Sequence, residues 1–149
     1  MWKIATVLPC LLFTSTLGAP CQSGWVKFGS SCYFGYIYPM YTYSEAQTVC
    51  EGMRATLVTV KDAEENLFLK QYTRNTYQIW IGLDDIDVEG TFEWNDGSAV
   101  KYTNWENGQP DNAGNVEDCA HLWADHDGKW NDLPCTNRAG FVCERKSRD

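Results

Sequence analysis

Between Glu106 and Cys135 the chain reads ENGQPDNAGNVEDCAHLWADHDGKWNDLPC. Gln109, Asp111, Glu117, Asn131 and Asp132 all offer hard oxygen here, and the chain's two histidines, His121 and His126, lie among them. Oxygen donors at this density suit a hard divalent cation such as calcium, which takes about 6–8 oxygen ligands in flexible geometry. A run rich in Asn, Asp, Gly and Pro also forms turns for backbone reasons alone, so residue types by themselves leave two readings open. The formal charge of −8, with acids clustered in the C-terminal half, leans towards cations. It also makes nucleic acid and anionic membrane surfaces poor partners.

Other chemistries find less support. No G-x-S-x-G or H-E-x-x-H run occurs, and neither histidine has a spaced nucleophile. Paired acids could serve a glycosidase, but acids spent on a cation leave none as a raised-pKa proton donor, so no enzyme is expected. Zinc is disfavoured by the absence of any C-x-x-C pair and by only two histidines.

The site needs a frame, and the 149 residues suffice for one domain with a proper core. Residues 1–19 read as a secretory signal peptide: Lys3 supplies the charge, Ile4 to Leu17 the apolar run, and Leu17-Gly18-Ala19 the small-residue cleavage site. Cleavage after Gly18 or Ala19 fits equally, and the run is too short to span a bilayer. The remaining 20–149 is expected to be a secreted, extracellular domain. Without Lys3 it keeps eleven bases against twenty acids, a formal −9. Its six cysteines, at 21, 32, 50, 119, 135 and 143, read as three disulfides, for which spacing alone permits 15 connectivities.

Two kinds of element should carry the site. Gly24 to Phe28 and Ser31 to Phe34 flank Gly29-Ser30 as a hairpin. Ser44-Glu45-Ala46-Gln47 suggests a capping box opening a helix with Ala46, Val49, Cys50 and Met53 on its apolar face. Thr56 to Val60 is β-prone, and Asp62 starts a second helix ending near Tyr72. From Ile79 onwards short strands are expected at Ile79 to Leu83, Thr91 to Trp94, Cys119 to Trp123 and Phe141 to Glu144, between long polar loops. The fold class is therefore α+β, two helices with mostly antiparallel strands. Trp94, Trp105, Trp123 and Trp130 argue that the loops are packed rather than disordered.

Trp80-Ile81-Gly82-Leu83, Gln109-Pro110-Asp111, Trp130-Asn131-Asp132 and the six-cysteine spacing together resemble a C-type lectin carbohydrate-recognition domain, over roughly Cys21 to Glu144. The resemblance implies the C-type lectin-like fold, a long calcium-binding loop region, and the pairs Cys21–Cys32, Cys50–Cys143 and Cys119–Cys135. It implies Ca2+ as cofactor, held by Gln109, Asp111, Glu117, Asn131 and Asp132, with Pro110 following a cis bond. Possible second-ion ligands are Asp85, Glu89, Asn112 and Asp118, alongside Glu117; Asn112 stands where an acid is common.

Sugar recognition follows from the same resemblance. Gln109, Asp111, Glu117 and Asn131 would bond two vicinal hydroxyls, the amides donating and the carboxylates accepting. Mannose-type sites of the family carry Glu-Pro-Asn and galactose-type sites Gln-Pro-Asp; this chain has the latter. The expected partners are therefore galactose or N-acetylgalactosamine glycans on cells or microbes. Galactose-type sites also place an aromatic just beyond the triplet, where this chain has Asn112-Ala113-Gly114. Trp123 and His126 are candidates to replace it, although Trp123 fits a core ring equally well and both histidines read more readily as surface residues. Alternatives are a protein- or mineral-binding module of the same fold, or a mannose-binding lectin. Trp25, Trp80 and Trp94 are expected in strands, and Trp105 in the packed loop base. With no heptads, collagen-like repeat or spare cysteine, clustering of sites would need a noncovalent homo-oligomer, for which the Tyr36 to Tyr41 loop is a candidate surface.

Overall fold

The computed structural model describes residues 19–73 and 78–148. Apart from Ala19, the signal-peptide segment lies outside the described residues. The elements are β1 (Val26–Phe28), β2 (Ser31–Tyr41), α1 (Tyr43–Gly52), β3 (Thr56–Leu57), α2 (Ala63–Tyr72), β4 (Gln78–Asp84), β5 (Glu93–Trp94), a 3-10 turn (Ala113–Asn115), β6 (Cys119–Trp123), β7 (Lys129–Leu133) and β8 (Ala139–Lys146). One sheet runs β1-β2-β8-β4-β6-β7, with β3 on β8 and β5 on β4. All pairings are antiparallel except β4 with β8. The expected α+β class and both helices are present.

Local signals explain most boundaries. The capping box of α1 lies two residues earlier than expected: Thr42 is the cap, its Oγ1 accepts from the Glu45 amide, and Glu45 returns a carboxylate to the Thr42 amide. Asp62 caps α2 as expected, accepting the Glu65 N–H at 2.8 Å. Gly82 has no room for a side chain, since a Cβ there would stand 2.8 Å from the Leu57 carbonyl oxygen. That close approach lets Gly82 N–H reach the Val58 carbonyl at 2.8 Å and joins β4 to the segment after β3.

The three disulfides are Cys21–Cys32, Cys50–Cys143 and Cys119–Cys135. The second spans 93 positions and ties α1 to β8; closing a loop of that order removes about 4.7 kcal/mol of unfolded-chain entropy in the simple chain model. The third ties β6 to the chain just beyond β7, the hairpin that carries Asn131 and Asp132.

Three expectations need correction. Tyr36 to Tyr41 is not a loop but the end of β2, kept in the sheet by pairing of Tyr36 with Phe141 and Tyr41 with Ala139 across an irregularity. Tyr36 and Tyr41 pack on Phe141, whereas Tyr38 is exposed. Lys129–Leu133 is a strand where a polar loop was expected, because the ladder to β6 overrides the poor strand propensity of Asn and Asp. Trp25 precedes β1 instead of lying in it.

A buried polar network joins the two halves of the frame. Glu144 accepts Ser31 Oγ at 2.7 Å, the Thr59 amide at 3.1 Å and Lys61 Nζ at 2.5 Å. Glu65 accepts Tyr33 Oη at 2.5 Å and Lys61 Nζ at 3.3 Å. Burial opposes the Lys61 ammonium, but the two carboxylates outweigh it and raise its pKa above 10.5. The lysine's charge therefore contributes to stability throughout the neutral range, and that contribution is lost as pH rises through the elevated value. Lys61→Met should lower unfolding stability in urea at pH 7 by about 2 kcal/mol. This is less than the 3–5 kcal/mol typical of a fully buried pair, because half of the Lys61 side chain meets water. The difference from wild type should shrink above pH 10.5.

Candidate metal and carbohydrate site

Trp130 positions the site. It is fully buried, and its Nε1 donates to Asn66 Oδ1 at 2.8 Å. The rings of Trp94, Tyr102 and Trp105 meet it edge-on, with centroids 5.7–5.8 Å away. Its backbone clips the long loop to β7: Trp130 N–H donates to Asn104 O at 2.9 Å and Glu106 N–H donates to Trp130 O at 2.8 Å. Gln109 follows three residues on, and the Gln109–Pro110 peptide is cis.

The loop then folds onto β7. Asp132 is fully buried, and its two carboxylate oxygens accept the amides of Asp111 at 3.2 Å and Asn112 at 2.8 Å. Glu117 accepts the Ala113 amide at 3.0 Å. Asn112, in left-handed conformation (φ 44°), accepts the Glu117 amide on its Oδ1 at 3.1 Å. Short polar side chains such as Asn tolerate that conformation best among non-glycine residues. Among the described residues, only Asp111, Glu117 and Asp132 bring three carboxylate oxygens within 4.8 Å of one another.

Two observations test this cluster for a cation. Gln109 Oε1 is buried without a hydrogen-bond partner, a state a bare carbonyl oxygen rarely tolerates. Burial, followed by the charges of Asp132 and Asp111, raises the Glu117 pKa. An oxygen lacking a donor and carboxylates crowding one another both fit a hard cation. Asn131 completes the set with one adjustment. Its Nδ2 lies 2.7 Å from Asp132 O and 3.2 Å from His121 Nε2. Turning the amide over, an isosteric exchange, places Oδ1 beside that carbonyl as a second oxygen donor. Asp111, Glu117 and Asp132 are thus brought together, and oxygens of this kind, with those of Gln109 and Asn131, are the donor chemistry that calcium takes.

The proposed second group is looser. Asp85 is buried, one oxygen accepting the Gly90 amide at 2.7 Å while Oδ1 has no partner. Burial raises its pKa against that bond, and Glu89, Asp118 and Asp132 add like charge. Asp118 is joined to it through its carbonyl, which accepts the Asp85 amide at 3.0 Å. Asn112 already spends one Oδ1 lone pair on Glu117.

The aromatic candidates lie one step away. His121 touches Asn131, Trp123 packs on His121 at 5.1 Å, and His126 lies against Trp123 at 4.6 Å. Trp123, half-buried at the end of β6, lies outside the core. His121 is not the surface residue expected from its polarity. It is fully buried, and burial lowers its pKa to about 3, so the ring stays neutral. The signal was available in Cys-Ala-His-Leu-Trp, where four successive positions of β6 are buried and alternation breaks down.

An oxygen-lined site on an irregular loop, held by a small disulfide-bonded frame, is the build of a carbohydrate-recognition domain. Residues 40–145 match the Lectin C-type domain. The chain is 38% identical over 129 residues to the perlucin-like protein of Mytilus galloprovincialis, covering 83% of this chain and 81% of that protein. It is 36% identical over 132 residues to C-type lectin domain family 4 member G of Mus musculus, covering 85% of this chain but only 43% of that protein. The cow C-type carbohydrate-recognition domain of CD23, crystallised with a GlcNAc2Man3 oligosaccharide, superposes with a TM-score of 0.81 at 35% identity, over 87% of this chain and 98% of that one. The chain belongs to the C-type lectin family, whose domains bind carbohydrate, are not enzymes, and generally bind calcium. Among the described residues no helix is long and apolar enough to cross a membrane.

Trp130→Phe should cost about 2–4 kcal/mol in urea unfolding, since it orphans buried Asn66 Oδ1 and leaves a void among three rings. Amide exchange at Glu106, bonded to the Trp130 carbonyl, should accelerate in the same variant.

Proposed function

We propose that the chain is a secreted, calcium-dependent lectin for terminal galactose or N-acetylgalactosamine. The observation that carries this reading is the cluster of Asp111, Glu117 and Asp132 carboxylates, together with a buried, unpartnered Gln109 Oε1 two positions before Asp111. Residues 20–149 are the carbohydrate-recognition domain in this reading, and residues 1–19 a leader for export. Calcium, when bound, supplies open coordination places for a pair of vicinal hydroxyls.

The residues divide the remaining work by polarity. Asp111 and Glu117 have only acceptors and take hydroxyl protons; the amides of Gln109 and Asn131 donate to hydroxyl oxygens. Asp132, held by two backbone donors, fixes the loop against β7 and contributes charge. The order Gln-Pro-Asp, opposite to Glu-Pro-Asn, exchanges donor and acceptor and favours the 3,4-hydroxyl pair of galactose. Trp123 with His126 is the candidate surface for the apolar sugar face, in place of the aromatic missing beyond the triplet. Asp85, Glu89, Asn112 and Asp118 are the proposed second-ion group; the unpartnered Asp85 Oδ1 supports it.

A mannose reading has one supporting observation, since the CD23 domain it resembles was crystallised with a mannose-containing oligosaccharide. Column chromatography separates the two. Wild type should bind immobilised galactose in millimolar calcium and elute with chelator. Gln109→Glu with Asp111→Asn should shift retention towards mannose, because donor and acceptor exchange while every ligand oxygen is kept. Retention on galactose unaffected by chelator would overturn the calcium dependence, and an unchanged sugar preference in the double variant would remove the triplet as selector.

A further inference from the structure

Away from the oxygen site, the acidity of the chain is locally reversed. Arg54, Arg145 and Arg148, three of five arginines in a chain of charge −8, line one depression of about 430 Å³ with Gln22, Trp25 and Met53, and among the described residues no carboxylate lines it. Three parts of the fold meet there: the N-terminal segment pinned by Cys21–Cys32, the chain just beyond α1, and the end of β8. None of these residues belongs to the Gln109–Asp132 site.

The guanidinium groups are placed differently. Arg145 is fixed: its guanidinium carbon lies 4.2 Å from the Trp25 ring centroid, Nη2 donates to Gln22 Oε1 at 2.8 Å and Nη1 to the Met53 carbonyl at 3.4 Å. Those bonds leave three of its five N–H donors available. Arg54 takes up a left-handed backbone (φ 55°) just past the α1 cap, where glycine is favoured. Its amide donates to Glu51 O at 2.9 Å, and the Ala55 amide donates to Cys50 O at 3.0 Å, holding that conformation. Local backbone preference thus gives way to a cationic side chain, an outlier of the kind that accumulates at functional sites. Neither Arg54 nor Arg148 forms an ion pair among the described residues.

We propose that this pocket binds a tetrahedral oxyanion, a sulfate or phosphate group. Planar guanidinium forks match such oxygens with paired, charge-assisted hydrogen bonds. An extended polyanion meets repulsion from the chain's net negative charge, whereas one oxyanion meets three arginines and, among the described residues, no carboxylate in the pocket lining. The group could be an ester on a sugar or a free inorganic ion, and the probes separate these sources.

The full chain, in calcium-free buffer of low ionic strength prepared without soluble chelator, is titrated calorimetrically with galactose 6-sulfate, sodium sulfate and galactose. Both sulfates should bind and galactose should not. A several-fold preference for galactose 6-sulfate assigns the sugar ester as the source; equal affinities assign the free ion. Arg54→Gly should weaken binding about tenfold, the loss of one charge-assisted contact, while its melting temperature holds or rises because glycine suits the left-handed position. Arg148→Gln should weaken binding similarly with unchanged melting. Absence of sulfate binding in wild type, or undiminished binding in both variants, overturns the proposal.

Discussion

The structure depends on one buried ring. Trp130 gathers Trp94, Tyr102 and Trp105 around it, and its peptide groups bond the loop at Asn104 and Glu106. Between β5 and β6 the chain has only a 3-10 turn of regular structure, so it cannot hold functional groups through a helix or sheet ladder of its own. Packing at its base and backbone donors to Asp132 replace the ladder. Asn131 and Asp132 follow Trp130 directly on β7, so the residue that organises the loop also fixes the side chains facing it.

Electrostatics then explains why such anchoring is needed. Asp111, Glu117 and Asp132 would separate if the loop were free, because like charges this close repel one another and part of the cluster is withdrawn from water. Backbone N–H groups from Asp111, Asn112 and Ala113 restrain two of the three carboxylates. They do nothing for Gln109 Oε1, which has no donor. A frame that fixes acids together and leaves an amide oxygen bare supports the proposed cation site. Lys61 shows the other solution in the same chain: its ammonium lies between Glu65 and Glu144, and that acidic pair belongs to the frame.

Much of this was legible in the sequence, for a definite reason. Ligand chemistry permits few residue types, so Gln109-Pro110-Asp111 and Trp130-Asn131-Asp132 stand out before any fold is known. Six cysteines, Asp62 as a cap and the α1 apolar face are similarly constrained. What was missed depended on pairing and packing that override local residue preference. β7 exists because β6 pairs with Asn131 and Asp132, and the end of β2 because β8 pairs with Tyr36 and Tyr41. His121 is buried because both faces of β6 are covered, which overrides its polarity. The arginine pocket joins positions 54, 145 and 148 through α1, β8 and a disulfide-bound segment, and no spacing along the chain announces it.

The central claim is that Gln109, Asp111, Glu117, Asn131 and Asp132 form one cation site, and calorimetric titration of calcium into the metal-free protein tests it most directly. The account predicts saturable binding with a dissociation constant of about 10⁻⁴–10⁻³ M, as for other extracellular calcium modules, and its loss in Asp132→Asn. No saturable binding up to about 10 mM calcium, ten times above that range, would contradict it.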